Sequence, residues 1–306
     1  MPPRSLARIP RLAAAILVAS VSLAAHAQGT APDTVSGSAA VTGFTMFNAN
    51  LDAGGRTNWA GGIASGTLTR QFTPQLSAGL VVRYDYQSWN FNAPTGFGGG
   101  APWKNLNAPL IALAIGYAYA PDLLITIRPT VEWAYESGAA TGDAMTYGAV
   151  ASVAKVFSPD LVLGLGVSAF RRIDKTQALP FLIVNWKFAD KWRLSNPFQA
   201  GPTGGAGLEL VYTPDDRWEF GQGISYRSYR FRLKQDGPTP GGVGENSFIP
   251  LFARFSRTFS KDLRLDFWAA LVDGGSLSVD YANGGGRYQD DYKVAPGLGA
   301  TLAWRF

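Results

Sequence analysis

The chain has no cysteine, and its one histidine is His26. Lacking cysteine, it can build neither a disulfide framework nor a thiolate metal site. His26 lies in a segment expected to be removed, which leaves a mature chain without imidazole. That excludes Ser-His-Asp triads, histidine-dependent lipases and acyltransferases, and histidine-ligated metals. A Ser-Lys dyad or a carboxylate pair would remain, but no motif points to either. No catalytic residue, metal site or cofactor is assigned. The mature chain also lacks an apolar run near 18 residues, so no helix of the required length is available to cross a bilayer. Charged residues make up only 16% of the sequence. The Gly-rich stretch 201–207 lacks the G-K-[ST] of a phosphate loop. Asp273, Asp290 and Asp291 lack calcium-loop spacing and read as turn acids.

The first segment reads as a secretory signal. Arg4, Arg8 and Arg11 precede an apolar stretch over 12–25, and Ala25-His26-Ala27 is a small-residue cleavage pattern. Ala25 and Ala27 therefore mark the expected cleavage site, with 1–27 removed. Losing those three arginines lowers the net charge from +5 to +2. The basic balance is then partly a property of the signal, and nucleic-acid binding is not inferred. Residues 28–40 are small and polar and read as a flexible periplasmic leader, with one domain over 41–306.

That domain is rich in glycine (36) and in tryptophan, tyrosine and phenylalanine (9, 12 and 18). From residue 41 onward a period of two recurs, as half-buried strands require. Ile125, Ile127, Pro129, Val131 and Trp133 oppose Thr126, Arg128, Thr130 and Glu132. Leu80, Val82, Tyr84 and Tyr86 oppose Arg83, Asp85 and Gln87. Short turns recur at 73–75, 121–122, 158–160, 189–191, 213–217 and 260–262, where proline, aspartate and serine favour reversal. Longer connections fall at about 49–57, 90–106, 138–145, 173–178, 195–204, 234–246 and 273–288. Six turns and seven loops predict 14 antiparallel strands, with 12 as the alternative. The last stretch, 292–306, puts Tyr292, Val294, Leu298, Leu302, Trp304 and Phe306 on one face and ends on Phe306.

This pattern resembles the bacterial, Gram-negative outer-membrane β-barrels, porin-like or of an uncharacterised barrel family. The resemblance implies an all-β fold, a single antiparallel transmembrane barrel whose last strand pairs with its first. It also implies that Leu302, Trp304 and Phe306 form the signal read by the barrel-insertion machinery. The implied location is the cell outer membrane. The implied partners are outer-membrane lipids and lipopolysaccharide, with periplasmic chaperones on the way there.

Aromatics near the short turns (Phe72, Tyr119, Phe157, Trp186, Phe188, Trp192, Tyr212, Trp218, Phe259) and near the loops (Tyr84, Tyr86, Trp89, Trp133, Tyr135, Tyr226, Tyr229) suit two interfacial belts. The other face carries Arg83, Arg128, Arg172, Lys187, Arg254, Arg264, Lys293 and Arg305 with Asp85, Glu132, Glu136, Glu209 and Asp266. These read as lumen-lining charges, either facing a water-filled passage or filling it with ion pairs. Inward rows of small residues (Ala112, Ala114, Gly116, Ala118; Gly164, Gly166, Ser168) leave room for a solute or for an inward-folded loop. The basic, aromatic stretch 226–234 reads as an outer rim or a lipopolysaccharide contact. The expected function is passive movement of small solutes through a narrow or partly obstructed lumen. The alternative is a closed structural or surface-binding barrel.

Overall fold

The computed structural model describes residues 33–197 and 206–306, so the signal segment, with Ala25 and Ala27, lies outside the described residues. Alternating sequences become strands, in the order β1 (Val35–Asn50), β2 (Arg56–Gln71), β3 (Leu76–Asn92), β4 (Asn105–Ala120), β5 (Leu123–Trp133), β6 (Tyr135–Glu136), β7 (Met145–Ser158), β8 (Leu161–Arg172) and β9 (Lys175–Ala189). They continue as β10 (Trp192–Ser195), β11 (Gly207–Asp215), β12 (Trp218–Ser225), β13 (Arg227–Arg232), β14 (Val243–Thr258), β15 (Leu263–Asp280), β16 (Arg287–Tyr292) and β17 (Ala295–Arg305). Ala134 interrupts β5/β6, Tyr226 interrupts β12/β13, and Lys293 with Val294 interrupts β16/β17. Counting each interrupted pair once gives 14 barrel strands.

The sheet closes on itself. β1 pairs with β2 on one side and with β17 on the other, from Ser38 opposite Arg305 to Met46 opposite Gly297. Gly37 and Phe306 exchange both backbone hydrogen bonds, at 2.7 and 3.0 Å, and complete the seam. Closure removes the free edges that would leave unpaired amide and carbonyl groups in lipid. β1 begins at Val35, inside the stretch expected to be a leader over 28–40. The small residues of 35–40 suit a strand here because β2 and β17 satisfy the backbone on both sides.

The outer face is apolar and uncovered. Leu80, Ile111, Leu165, Leu182, Leu251, Phe267 and Leu298 all point outward and are exposed. A continuous apolar band of this kind calls for a lipid environment. Among the described residues no helix is long and apolar enough to cross a membrane. Six tight reversals define one end, hereafter the turn end. Hydroxyls and one carboxylate cap four of them. Thr73 Oγ1 accepts from Leu76 N at 3.0 Å, Ser260 Oγ from Leu263 N at 3.1 Å, and Asp215 Oδ1 from Arg217 N at 2.8 Å.

Around the turn end the aromatic belt is on the outside, with Trp186 on Phe188, Trp192 on Tyr212 and Trp304 on Phe306 at 5.4, 4.8 and 4.8 Å. Arg70, Lys155 and Arg257 lie over Phe72, Phe157 and Phe259 at 5.3, 5.6 and 5.1 Å.

At the opposite, loop end the structure departs from the expected loops. The 173–178 connection is a two-residue reversal, because Ile173 takes φ 47°, a region that β-branched residues rarely adopt. Much of 273–288 is strand, as β15 runs to Asp280 and β16 starts at Arg287.

Four neighbouring strands bend at one level. The breaks are Tyr226, the bulge between Ser247 and Ile249 in β14, Gly274 (φ 57°) in β15, and Lys293–Val294. A glycine is needed at 274 for its positive φ. At Gly275 a Cβ would run into the Tyr292 ring. Beyond these bends β13, the ends of β14 and β15, and β16 form a flap that folds into the mouth. One side of it stays joined to the wall, where Lys293 N donates to Asn50 O at 2.9 Å. The other edge, β13, crosses almost half-way round the ring and pairs in parallel with β6, Arg232 opposite Tyr135. Arg232 N donates to Ala134 O at 2.9 Å.

Candidate functional site

The lumen is the candidate site, and its two ends differ. At the turn end, one wall carries a polar network spread over β10, β11, β12, β14 and β15. Arg254 lies 2.7 Å from Glu209 and 3.5 Å from both Glu219 and Asp266. Arg264 reaches Glu219 at 2.5 Å and Asp266 at 2.8 Å, and Arg193 reaches Glu219 at 2.8 Å. Gly221 makes room for this, since a Cβ there would collide with the Glu209 carboxylate. The facing wall is built from small residues. Ala114, Gly116, Ala118, Gly164 and Gly166 point inward and stay partly exposed, so this wall takes up little of the lumen, with the Phe181 ring over Gly166.

Toward the loop end the lumen is filled. Trp59 and Trp89 stand opposite each other on β2 and β3 and stack at 4.4 Å with an interplanar angle of 7°. The 93–104 connection folds inward and adds Phe97 and Trp103. Trp103 meets the flap residue Phe231 at 5.0 Å, and Phe97 meets Tyr288 at 4.8 Å. Phe248 and Tyr292 complete the cluster. Trp89 is therefore inside, where an outer belt was expected. Tyr292 is inside too, although simple alternation put it on the lipid face. The bend at Lys293–Val294 resets the alternation between flap and wall.

Charges pin the flap. Arg230, 1% exposed at its side chain, lies 2.8 Å from Glu245 and 2.5 Å from both Asp174 and Asp280. Lys175 reaches Glu245 at 3.0 Å. Asp174 sits at the β8–β9 tip, outside the spanning region. Partial burial pushes its carboxyl up, but hydrogen bonds and charge from Arg230 outweigh this and hold it below the usual carboxylate range. Stretch 226–234, expected at a solvated rim or against lipopolysaccharide, thus runs inside the mouth. Its apolar Phe231 and Leu233 join the internal cluster, and its central arginine finds three carboxylates there.

The structure brings most of the sequence-derived charges together, in separate groups. Glu209, Arg254, Arg264 and Asp266 belong to the turn-end network. Arg83 lies 3.8 Å from Asp85 and 3.5 Å from Glu132 higher up. Arg172 is buried, with its Nη1 donating to Ser228 Oγ at 3.3 Å. Glu136 does not line a path; its carboxylate accepts from Lys104 N at 3.1 Å and Lys234 N at 3.2 Å and so clamps loop to flap. Arg128 is buried and inward.

Lys187, Lys293 and Arg305 are exposed and line no enclosed space. Lys187 and Arg305 keep the inward parity but sit at the turn-end rim, and Lys293 falls in the bend. Sequence reasoning missed Asp174, Arg230, Glu245 and Asp280, because only the inward fold brings these distant positions together. Trp59 and Trp103 were missed as well. Among the described residues no cluster of acids could hold a metal ion.

Between the flap and the β3–β4–β5 wall lies a cavity of about 70 Å³. Arg83, Asp85, Glu132, Phe170, Arg227 and Tyr229 are among its lining.

A closed 14-stranded ring, apolar outside and carrying paired charges inside, defines a membrane-spanning β-barrel. No protein-family model and no characterised protein sequence matches the chain. Among solved structures it is similar to an outer membrane channel from Pseudomonas putida F1, at 10% identity and TM-score 0.46, over 90% of this chain and 97% of that one. It is similar to the Pseudomonas putida toluene transporter TodX at 10% and 0.42, over 95% and 94%. The NanC porin gives 8% and 0.39, over 87% and 98%. With every score below 0.5, function is read from the geometry of this chain.

Proposed function

We propose that this chain is an outer-membrane channel that passes small solutes passively, with a mouth closed by its own strand ends. One observation carries this reading. At the turn end one wall of the lumen is lined by small, partly exposed residues, and the other end is closed by a hinged flap instead of a continuous core. A 14-stranded ring is wider than the roughly eight strands whose interior side chains can fill, so moving the flap would leave a passage. The flap's free edge is held by one parallel bridge, by Glu136 accepting from Lys234 N, by Phe231 on Trp103, and across the mouth by Arg230 with Asp174 and Lys175 with Glu245, contacts that a rigid-body swing would release, while Glu245 and Asp280 move with Arg230. The reading includes no catalytic step and no cofactor.

The test is single-channel recording of the full barrel in planar bilayers. Wild type should open rarely. Arg230→Ala should raise the open probability roughly tenfold or more, since a lost charge-assisted bond costs about 1.5–3 kcal/mol. Silence of both proteins at high protein load would favour the second reading, a closed structural barrel.

In this reading the turn end faces the periplasm and the flap faces outward toward lipopolysaccharide. Leu302, Trp304 and Phe306 on the rim serve as the insertion signal. Deleting Phe306 should reduce the amount of heat-modifiable barrel recovered from membranes; unchanged recovery would count against that role.

A further inference from the structure

The lipid-facing wall carries a polar group that the barrel itself leaves unused. Gln222 of β12 is exposed and points outward, between Phe220 and Ile224 of its own strand, which are exposed on the same face. Across the sheet it stands opposite Leu210 of β11 and Ala253 of β14. Its amide is thus flanked on all four sides by apolar residues, and no side chain or backbone group among the described residues bonds to it.

Depth makes this costly. Gln222 lies four residues from Trp218, beside the turn end, and four from the bend at Tyr226. Four residues span about 13 Å of strand, so the side chain sits well inside an apolar band about 25 Å tall. At that depth an amide finds no water, and hydrocarbon offers it neither donor nor acceptor. A glutamine placed there calls for a polar partner from another protein surface.

Shape and hydrogen-bonding capacity say which surface. In the row that crosses Gln222, Ala253 stands opposite Ala269 of β15. The outward rows on either side hold Leu251 with Leu271 and Phe255 with Phe267, all exposed. Two methyl groups between bulky rows make a shallow groove beside the amide, where a second wall can approach closely. A primary amide carries both donors and an acceptor, so it is its own complement. Around a two-fold axis the same patch meets itself. Each Gln222 then reaches into the alanine groove of the other copy, and the two amides exchange hydrogen bonds.

We propose that this face of β11, β12, β14 and β15 is an interface between two copies of the chain in the membrane, joined across a two-fold axis by reciprocal Gln222 amides. The inference goes beyond the channel reading and stands independently of it.

The chain has no cysteine, so an introduced thiol is unique. In isolated membranes treated with copper phenanthroline, an oxidant that enters lipid, Gln222→Cys should give a disulfide-linked band of twice the chain mass. Leu113→Cys, equally lipid-facing but on β4 across the ring, should stay single. In mild detergent the wild-type full chain should sediment as a dimer. Gln222→Leu should weaken that association about tenfold while keeping heat-modifiable migration, as expected for loss of a pair of amide bonds in an apolar setting. A monomeric wild type would overturn the proposal, as would equal cross-linking at positions 222 and 113, or unaltered association of a folded Gln222→Leu barrel. A cross-linked product of any other mass would assign the face to a different protein and refute the second copy. The wild-type sedimentation decides the matter if a variant does not insert. A conducting monomer would refute the interface and leave the channel; a dimer silent in bilayers would leave the interface and count against the channel.

Discussion

The turn-end half of this barrel and the loop-end half are made from the same strands yet hold together differently. At the turn end each strand pairs with its neighbours in the ring, and the inward charges satisfy one another along a single wall. At the loop end four strands leave the ring, and Arg230 reaches carboxylates from β9's tip, β14 and β15. The first arrangement is local: Arg254, Glu209, Glu219 and Asp266 come from nearby strands. The second reaches out of its own group of strands, since Arg230 crosses the mouth to Asp174 and Lys175 crosses to Glu245. A network within the wall stabilises the ring, whereas a network across the mouth sets where the flap sits.

The largest expected effect breaks the first half. Arg254→Ala takes the buried cation at 2.7 Å away from Glu209, while Asp266 keeps Arg264, a loss of about 3–5 kcal/mol. It should lower the temperature at which the barrel unfolds on a heat-modifiability gel, with little effect on open probability. Next, Arg230→Ala should lower the unfolding temperature less, because Glu245 keeps Lys175 and the other two carboxylates are partly exposed, while raising open probability roughly tenfold or more. If both variants destabilise the barrel alike and neither opens it, the two halves are one cooperative unit and the distinction fails.

The difference also explains what the sequence could reveal. The turn end was legible: Thr73, Ser158, Asp215 and Ser260 mark reversals, and Arg254, Arg264 and Asp266 alternate with outward apolar residues. The same alternation misplaced Tyr292, because it assumes one continuous strand and the bend at Lys293–Val294 resets the faces. Stretch 226–234 read as a rim because nothing in it names Asp174 or β6 as partners. Lys187 and Arg305 have inward parity, but parity does not say how far a strand extends beyond its neighbours. Ile173 hid a tight reversal by being a residue that turn rules disfavour.

A smaller effect sharpens the contrast at two glycines. Gly274 has φ 57° with nothing within 4 Å of a built Cβ, so a side chain there meets backbone strain and no clash. Gly274→Val should cost about 1–3 kcal/mol at the hinge and favour the open flap. Gly43 has equally free space but lies at an ordinary position in the β1 wall. Gly43→Ala should leave open probability unchanged. An equal response at the two positions would show that the bend is not a hinge.

The smallest expected effect is a dependence on acidity. Asp174 titrates below its usual range in the folded protein because it pairs with Arg230. A lowered folded-state value means that the pairing contributes fully above the unfolded value, near 3.9, and is lost as pH falls through the folded value. Between neutrality and about pH 5 the flap should therefore be insensitive to this group, with open probability rising only below about pH 4. Asp174→Asn removes the titrating group and should open more at neutral pH, with a weaker further response to acid. The partial exposure of Asp174 keeps the change modest, since solvent screens the pair. Recordings from pH 7 to pH 3 would expose any other trigger: an opening that begins near pH 6 in both proteins cannot arise from a carboxyl held below its normal range, and would move the latch away from the Arg230–Asp174 contact.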